Sequence, residues 1–536
     1  MIEPYAGQPG PSGTRPPTAT WSRAVLASPG ATTVLLLAFA ALLALAPLLI
    51  FPVPPLADYP NHLARMHVIG SVGADPDLAR YYEIRWRIIP NLAMDMVVPP
   101  LARIVDIYHA GQIYAVACLA LVASGVFALN RALFGRWSVL CVAALPFLYN
   151  HIFFLGYLNY WSGIGLALWA ASVWVWLRDR PWPWRLAAST LFAIMLFFSH
   201  LFAAGVYAMT LLALELSRLW RRRKAPLAMR LVDFAATGLP FVPFVPLLLA
   251  SPTLGLAGTN AWSLPAKLEG LYFAVSTYSD RVDFALVAAI AAVLAWTTFR
   301  RELRVHPAGW VLVALGAAVY LAMPNILFNT YVADERLPAA LVIAALAFFS
   351  LDAARASARR AVALLLILVL AARVAEVGVN WISLSRQTAD VRASTRLIAQ
   401  RGARVLVGAS DHISDNEAFD FALAHAACLA IIERSAFVAN AFVFPGKQIM
   451  EVRPVYRQIA ELVDGDLPTV AQLATANRAT APPEGTGEYW RKWPTNFDYL
   501  YVMYTARNEA NPFPDLLTLV YDGDRFKLYK IRKSGP

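Results

Sequence analysis

The chain is short of charge: Asp, Glu, Lys and Arg make up 15% of its 536 residues, where a soluble domain carries about 25%. It is as short of cysteine. Cys118, Cys141 and Cys428 are an odd, widely spaced set, two of them inside apolar runs. That excludes a disulfide framework and leaves the redox compartment open. No P-loop, glycine-rich dinucleotide fingerprint or zinc-like Cys/His spacing occurs, which removes the common nucleotide and zinc classes. The net charge of +11 sits mainly in short loops between apolar runs, so nucleic acid is not an expected partner.

What the chain has instead is hydrocarbon: 59% of residues are hydrophobic and the mean hydropathy is +0.52. This is the composition of a polytopic α-helical membrane protein. Residues 1–30 are rich in Pro, Gly, Thr and Ser and read as a disordered tail. Residues 31–51 carry no charge and are long enough to cross about 30 Å of hydrocarbon. The run exceeds a signal peptide's apolar core and no small-residue cleavage site follows, so it is expected to stay as the first span. Residues 52–109 are too polar to span but rich in aromatics, which suits helices lying on the membrane face. Further apolar runs lie at 110–130, 137–155, 158–177, 184–199, 201–219, 231–250, 283–299, 308–328, 337–351 and 361–382, which predicts about eleven transmembrane helices.

Loop charge sets the topology. With the N-terminus inside, Arg131 and Arg136, Arg178 to Arg185, Arg218 to Arg230, Arg300 to Arg304 and Arg355 to Arg360 all fall on the cytoplasmic side, as the positive-inside rule requires. Residues 52–109, 251–282 and everything after 382 then lie outside. The expected division is a cytoplasmic tail at 1–30, a membrane module at 31–384 and a water-soluble α/β domain at 385–536. Within that domain 387–400 and 416–434 have helical spacing. Strands are expected at 403–408, 437–444 and 499–504, with a hairpin of 516–521 and 526–531 about Asp522-Gly523-Asp524 and a loop at 482–487.

One polar stretch stands out directly after the first span: residues 54–65, Pro-Pro-Leu-Ala-Asp-Tyr-Pro-Asn-His-Leu-Ala-Arg. Pro60 favours the first turn of a short helix, which puts Asn61 and Arg65 on one face and Asp58 just ahead of the helix. Asp58, His62 and Arg65 supply the carboxylate, imidazole and guanidinium that a lipid-linked phosphate substrate needs; the other reading is a capped interfacial helix facing water. Other polar residues gather at the same outer face. They are His151, Asn159 and Tyr160 between the third and fourth spans, His200 between the fifth and sixth, and Asn325, Asn329, Tyr331, Asp334, Glu335 and Arg336 between the ninth and tenth. Polar groups near hydrocarbon tend to face a cavity, here one roofed by the soluble domain. His151 and His200 also read as hydrogen-bonded helix-end histidines, and Asp334-Glu335-Arg336 as a helix start. Arg373 and Glu376, three apart inside the last span, either neutralise each other or leave Arg373 to grip a lipid phosphate.

This layout resembles the GT-C superfamily of integral-membrane glycosyltransferases: a first span, an outer loop opening with Asp58, interfacial helices, many further spans and an outer α/β domain. The resemblance implies transfer of a sugar from a polyprenyl-phosphate donor to a glycan, lipid or protein acceptor of the cell envelope, at the periplasmic face of a bacterial inner membrane. It implies that Asp58 is the first-loop catalytic carboxylate, and Asp334-Glu335 a second acidic site. Such families often pair two acids in that loop, sometimes with a divalent metal ion; here Tyr59-Pro60-Asn61 follows Asp58. On the chemistry alone, transfer needs a base and a cation for the departing phosphate. Asp58 suits the base, with His62 as its orienting neighbour or substitute, and Arg65, Arg336 or Arg373 suits the phosphate. A transporter or flippase for a lipid-linked saccharide, or a non-catalytic membrane scaffold, are the other readings.

Overall fold

A computed structural model describes residues 29–224, 226–255, 260–327, 330–353, 355–412, 417–463, 465–478 and 488–533. The tail, the 482–487 loop, Asn329 and the start of the 416–434 helix lie outside the described residues, except for Pro29 and Gly30 of the tail. The first span is α1 (Pro29–Ile50). The outer loop follows as α2 (Tyr59–Ser71), α3 (Pro76–Tyr81), strand β1 (Tyr82–Ile84) and α4 (Ala93–Leu101), with Pro60 in the first turn of α2 as its fixed φ favours.

The membrane module continues through α5 (Ile107–Phe134), a buried 3-10 segment at Val139–Leu148, the single turn α6 (His151–Phe154), α7 (Leu158–Trp176), α8 (Trp182–Ser199) and α9 (Leu201–Arg221). Then come α10 (Leu227–Ala235), α11 (Phe244–Ala250), α12 (Leu264–Phe273), α13 (Asp280–Phe299), α14 (Pro307–Ala322), α15 (Arg336–Leu346) and the 40-residue α16 (Ala356–Thr395). Among the described residues seven stretches are long and apolar enough to cross a membrane, α10 and α11 counting as one. The other expected spans are the 3-10 segment, α8, α14 and α15. They are shorter: Pro146 lies inside the 3-10 segment, α8 ends at Ser199, α14 ends at Ala322 and α15 ends at Leu346. Every side chain of the 3-10 segment is buried, so it is packed as core and needs no lipid-matching length.

Helices α5 and α7 meet at glycines. A Cβ on Gly165 would lie 2.5 Å from Leu121 Cβ, and one on Gly125 would lie 2.8 Å from Leu168 Cβ; small residues let membrane helices approach where no hydrophobic drive exists between them. The two ends of α5 report the topology. At one end Tyr108 Oη donates to Glu433 of the C-terminal domain at 2.6 Å; at the other Asn130 Nδ2 donates to the Ala347 and Phe349 carbonyls at 2.9 and 2.7 Å. At that second end β2 (Leu303–Val305) and β3 (Phe349–Leu351) pair, and Arg136 and Arg304 both reach Asp352. Three of the basic loops expected on one face therefore meet on one face.

The C-terminal domain is α/β. Its sheet holds β4 (Arg404–Ala409), β5 (Phe437–Val438), β7 (Tyr499–Met503), β8 (Leu517–Asp522) and β9 (Phe526–Ile531) in the order β5-β4-β7-β9-β8. Strands β5, β4 and β7 are parallel, and β8–β9 is the hairpin the Asp-Gly-Asp turn predicts. The 437–444 run is a strand only over its first two residues. The 416–434 run is broken into α17 (Glu417–Leu423) and α18 (Leu429–Arg434), with His425 at the break. Strand β6 (Met450–Val452) leaves the domain and pairs antiparallel with β1 of the outer loop. Helix α16 runs from the membrane to Ser394, whose Oγ meets Tyr501 Oη of β7 at 2.8 Å. The boundary expected at 385 thus falls inside a continuous helix. Ala64, Val68, Leu78, Tyr81 and Tyr82 of the outer loop belong to the domain's own core, so loop and domain are packed as one layer over the helices.

Candidate functional site: a cavity beneath the outer domain

The outer layer and the helix ends enclose a cavity of about 580 Å³. Five regions line it: Asp58, His62 and Asn91 of the outer loop; Tyr157, Asn159 and Tyr160 opening α7; His200 and Phe202 opening α9; Leu248 and Ser251 at the end of α11; and Tyr331 and Arg336 at the start of α15. The C-terminal domain closes it with Phe442, Phe444, Lys447 and Gln448. The stretch that contributes Leu248, residues 227–250, is apolar and only 6% buried, which leaves an apolar flank beside a polar chamber.

Helix periodicity divides the 54–65 stretch. Asp58 and His62, four apart, face the cavity, while Asn61 and Arg65, also four apart, are buried on the other side. Asp58 holds the N-cap position of α2 yet its side chain makes no capping bond. Its backbone N–H instead donates to Leu155 O at 3.1 Å, and that of Ala57 to Phe154 O at 2.9 Å. Gly156 permits this seat, with φ +92 and a virtual Cβ only 3.1 Å from both Asp58 Cβ and Asp58 N. Asp58 Oδ1 lies 3.5 Å from Nε2 of His425, an imidazole of the C-terminal domain. His62 Nδ1 is buried with no hydrogen-bond partner. Burial, then the Arg65 charge and His425, hold His62 well below the usual imidazole range, and burial alone holds His425 down to about 4. Both are neutral near pH 7.

Arg336 is held for display. Its guanidinium carbon lies 4.0 Å over the Tyr157 ring. Nε donates to Val332 O at 3.1 Å and Nη2 to Tyr331 O at 2.9 Å, while Nη1 stands 3.4 Å from His200 Nε2. Val332 adopts φ +56, a left-handed conformation costing about 1–2 kcal/mol in a β-branched residue, at the turn that carries those two carbonyls. Tyr160 Oη fixes the same arginine by donating to its carbonyl at 2.8 Å. Asn159 lines the cavity but is spent on joining layers: its Oδ1 accepts from Met94 N and Tyr114 Oη, and its Nδ2 donates to Asn91 O. His200 Nδ1 accepts from Phe202 N at 3.2 Å, the helix-end role.

The remaining expected site residues lie off the cavity. Arg65 forks onto Asp95 with two 3.0 Å bonds, both side chains 1% exposed. His151 stacks on Phe273 at 4.0 Å and on Phe421 at 5.3 Å. Asp334 pairs with Lys267 at 2.5 Å, with Glu335 buried beside it. Arg373 is locked by Asp283 at 2.5 Å and Glu376 at 2.7 Å, the neutralised arrangement. Buried charges closed on partners in this way fix packing. His425, Lys447, Gln448 and Asn91 went unmarked in the sequence. His425 carried one signal: it is one of only eight histidines, and it breaks a helical run. Among the described residues no group of three or more His, Cys, Asp or Glu could hold a metal ion, and no step below passes through one.

Fold and cavity together define a polytopic helical membrane protein with a C-terminal α/β domain and a polar chamber between the two. No family model matches the chain, and no curated protein matches it. Among solved structures the chain is similar to ArnT from Cupriavidus metallidurans bound to undecaprenyl phosphate, with a TM-score of 0.49 and 11% identity, over 95% of this chain and 100% of that one. A likeness at that level says nothing about individual residues, and the site is read from its own geometry.

Proposed function

We propose that the protein is a membrane glycosyltransferase that moves a sugar from a polyprenyl-phosphate donor to a cell-envelope acceptor. The observation that carries this is one chamber holding an acid, Asp58, together with two cations, Arg336 and Lys447, beside an apolar flank. The carrier's tail lies against that flank and its phosphate meets the guanidinium, whose planar fork matches two phosphate oxygens. The acceptor hydroxyl oxygen attacks the anomeric carbon as the bond from that carbon to the phosphate oxygen breaks. Asp58 takes the hydroxyl proton; polyprenyl phosphate leaves with the electron pair, its charge balanced by Arg336 and Lys447. A single displacement inverts the anomeric carbon. The chamber then opens on the periplasmic side of a bacterial inner membrane, a reading supported by the basic loops at the opposite face and the positive-inside rule.

A transporter or flippase calls for charge along a path through the spans, whereas Arg373 is closed on Asp283 and Glu376. The test is purified protein in lipid vesicles with radiolabelled polyprenyl-phosphate sugar and a mixture of envelope acceptors. Label leaving the lipid in a form dependent on acceptor supports transfer. Label crossing the bilayer still joined to its lipid overturns it in favour of transport, and neither event leaves the scaffold reading.

A further inference from the structure

The amide of Asn61 has every polar position committed. Phe442 N donates to its Oδ1 at 2.8 Å, and its Nδ2 donates to Asn440 O at 2.9 Å and contacts His425 Nδ1 at 3.1 Å. A backbone N–H only donates and a carbonyl only accepts, so this amide has one orientation. The remaining Nδ2 hydrogen then faces His425 Nδ1, which must present a lone pair. The imidazole proton is therefore on Nε2, the nitrogen 3.5 Å from Asp58 Oδ1. A second proton, on Nδ1, would set two donors against each other, and burial opposes it as well.

We infer that His425 is a positioning residue: Asn61 holds it as the neutral Nε2–H tautomer, and in that form it orients the Asp58 carboxylate toward the cavity. The inference rests on the reading of Asp58 as the base. A neutral donor suits that task, because it aligns the carboxylate without cancelling its charge as an imidazolium would. The other titratable or charged groups on the same chamber are His62 from α2, Tyr157 and Tyr160 from the start of α7, His200 from the start of α9, Tyr331 and Arg336 from the start of α15 and Lys447 from the C-terminal domain. The outer domain thereby supplies part of the working site through a contact spanning residues 58 and 425. Asn61, buried 364 residues from His425 in sequence, sets the tautomer.

The test compares His425→Gln, His425→Asn and His425→Ala in the full chain in lipid nanodiscs. A glutamine amide nitrogen reaches the depth of Nε2; an asparagine amide reaches only that of Nδ1. Carbodiimide reacts with protonated carboxyls, so mass spectrometry of the Asp58 peptide across pH reads the carboxylate without any turnover. The labelling midpoint is expected to rise by about one pH unit in the Ala and Asn variants and to stay at the wild-type value in the Gln variant, with the acid limb of transfer moving in parallel. Unchanged midpoints in all three, or Gln behaving as Ala, overturn the inference; should Ala not fold, the Gln–Asn pair decides it. A labelling shift in a protein whose wild type transfers no sugar supports the His425 contact and overturns only the transferase reading.

Discussion

Helices α7 and α9 each reach two clusters of polar and charged residues, one at either end, and the two clusters behave oppositely. At the inner end Glu215 accepts from Arg185 at 2.8 Å, Trp174 Nε1 at 2.9 Å and Arg218 at 3.2 Å, and the Arg185 guanidinium lies 3.5 Å over the Trp174 ring. Those groups close on one another, and the carboxylate is only 4% exposed. At the outer end Tyr157, Tyr160 and His200 frame Arg336 and the cavity that also holds Asp58. The residue types are alike; what differs is that one set packs solid while the other lines a cavity. A closed cluster fixes helices, and an open one can bind and react.

The comparison breaks most directly at Asp58. Asp58→Asn is expected to lower transfer by about 10²–10⁴-fold with an unchanged unfolding temperature, measured with the radiolabelled donor and by thermal denaturation in micelles. Glu215→Gln is the mirror case: it leaves its arginines without their counter-charge and is expected to cost about 3–5 kcal/mol of stability, while transfer per folded molecule stays the same. Equal damage to activity and stability in both variants would erase the distinction between the clusters. Arg336→Lys keeps the charge but loses the planar fork over Tyr157. It is expected to raise KM for the lipid donor about tenfold, the value of one charge-assisted hydrogen bond, with kcat less affected.

The smallest effect concerns pH. Burial first, then the Asp334 and Glu269 carboxylates, raise Glu335 from 4.5 to about 7 against the opposing pull of Arg336 and Lys267. The folded protein thus keeps a proton that the unfolded chain releases near 4.5, so this group's contribution to stability falls as pH rises from 4.5 to 7 and is flat above. Glu335→Gln is expected to remove that fall, a change on the order of 1 kcal/mol across the window, read from denaturation midpoints at pH 5 and 7.5.

Much of this was legible in the chain itself. Uncharged runs marked the long helices, arginine-rich loops marked one face, and the polar stretch after α1 marked where to look. Legibility failed where a decision depended on a distant partner. Arg65 and Arg336 both belong to polar stretches next to apolar runs in sequence, yet Asp95 captures the first and backbone carbonyls hold the second at the cavity. The 3-10 segment reads as a span because apolarity is all that sequence reports, and core and lipid are equally apolar solvents.

Local sequence alone settled the membrane class, the order of the long helices and the place of Pro60 in the first turn of α2, since hydrophobic transfer and a fixed φ act residue by residue. Tertiary structure alone decided that Asp58 faces His425, that Asn61 serves a tautomer and not a substrate, and that Lys447 joins Arg336 at one chamber. Those are contacts between segments hundreds of residues apart, and they exist only once β6 has paired with β1 and the outer domain has packed onto α2.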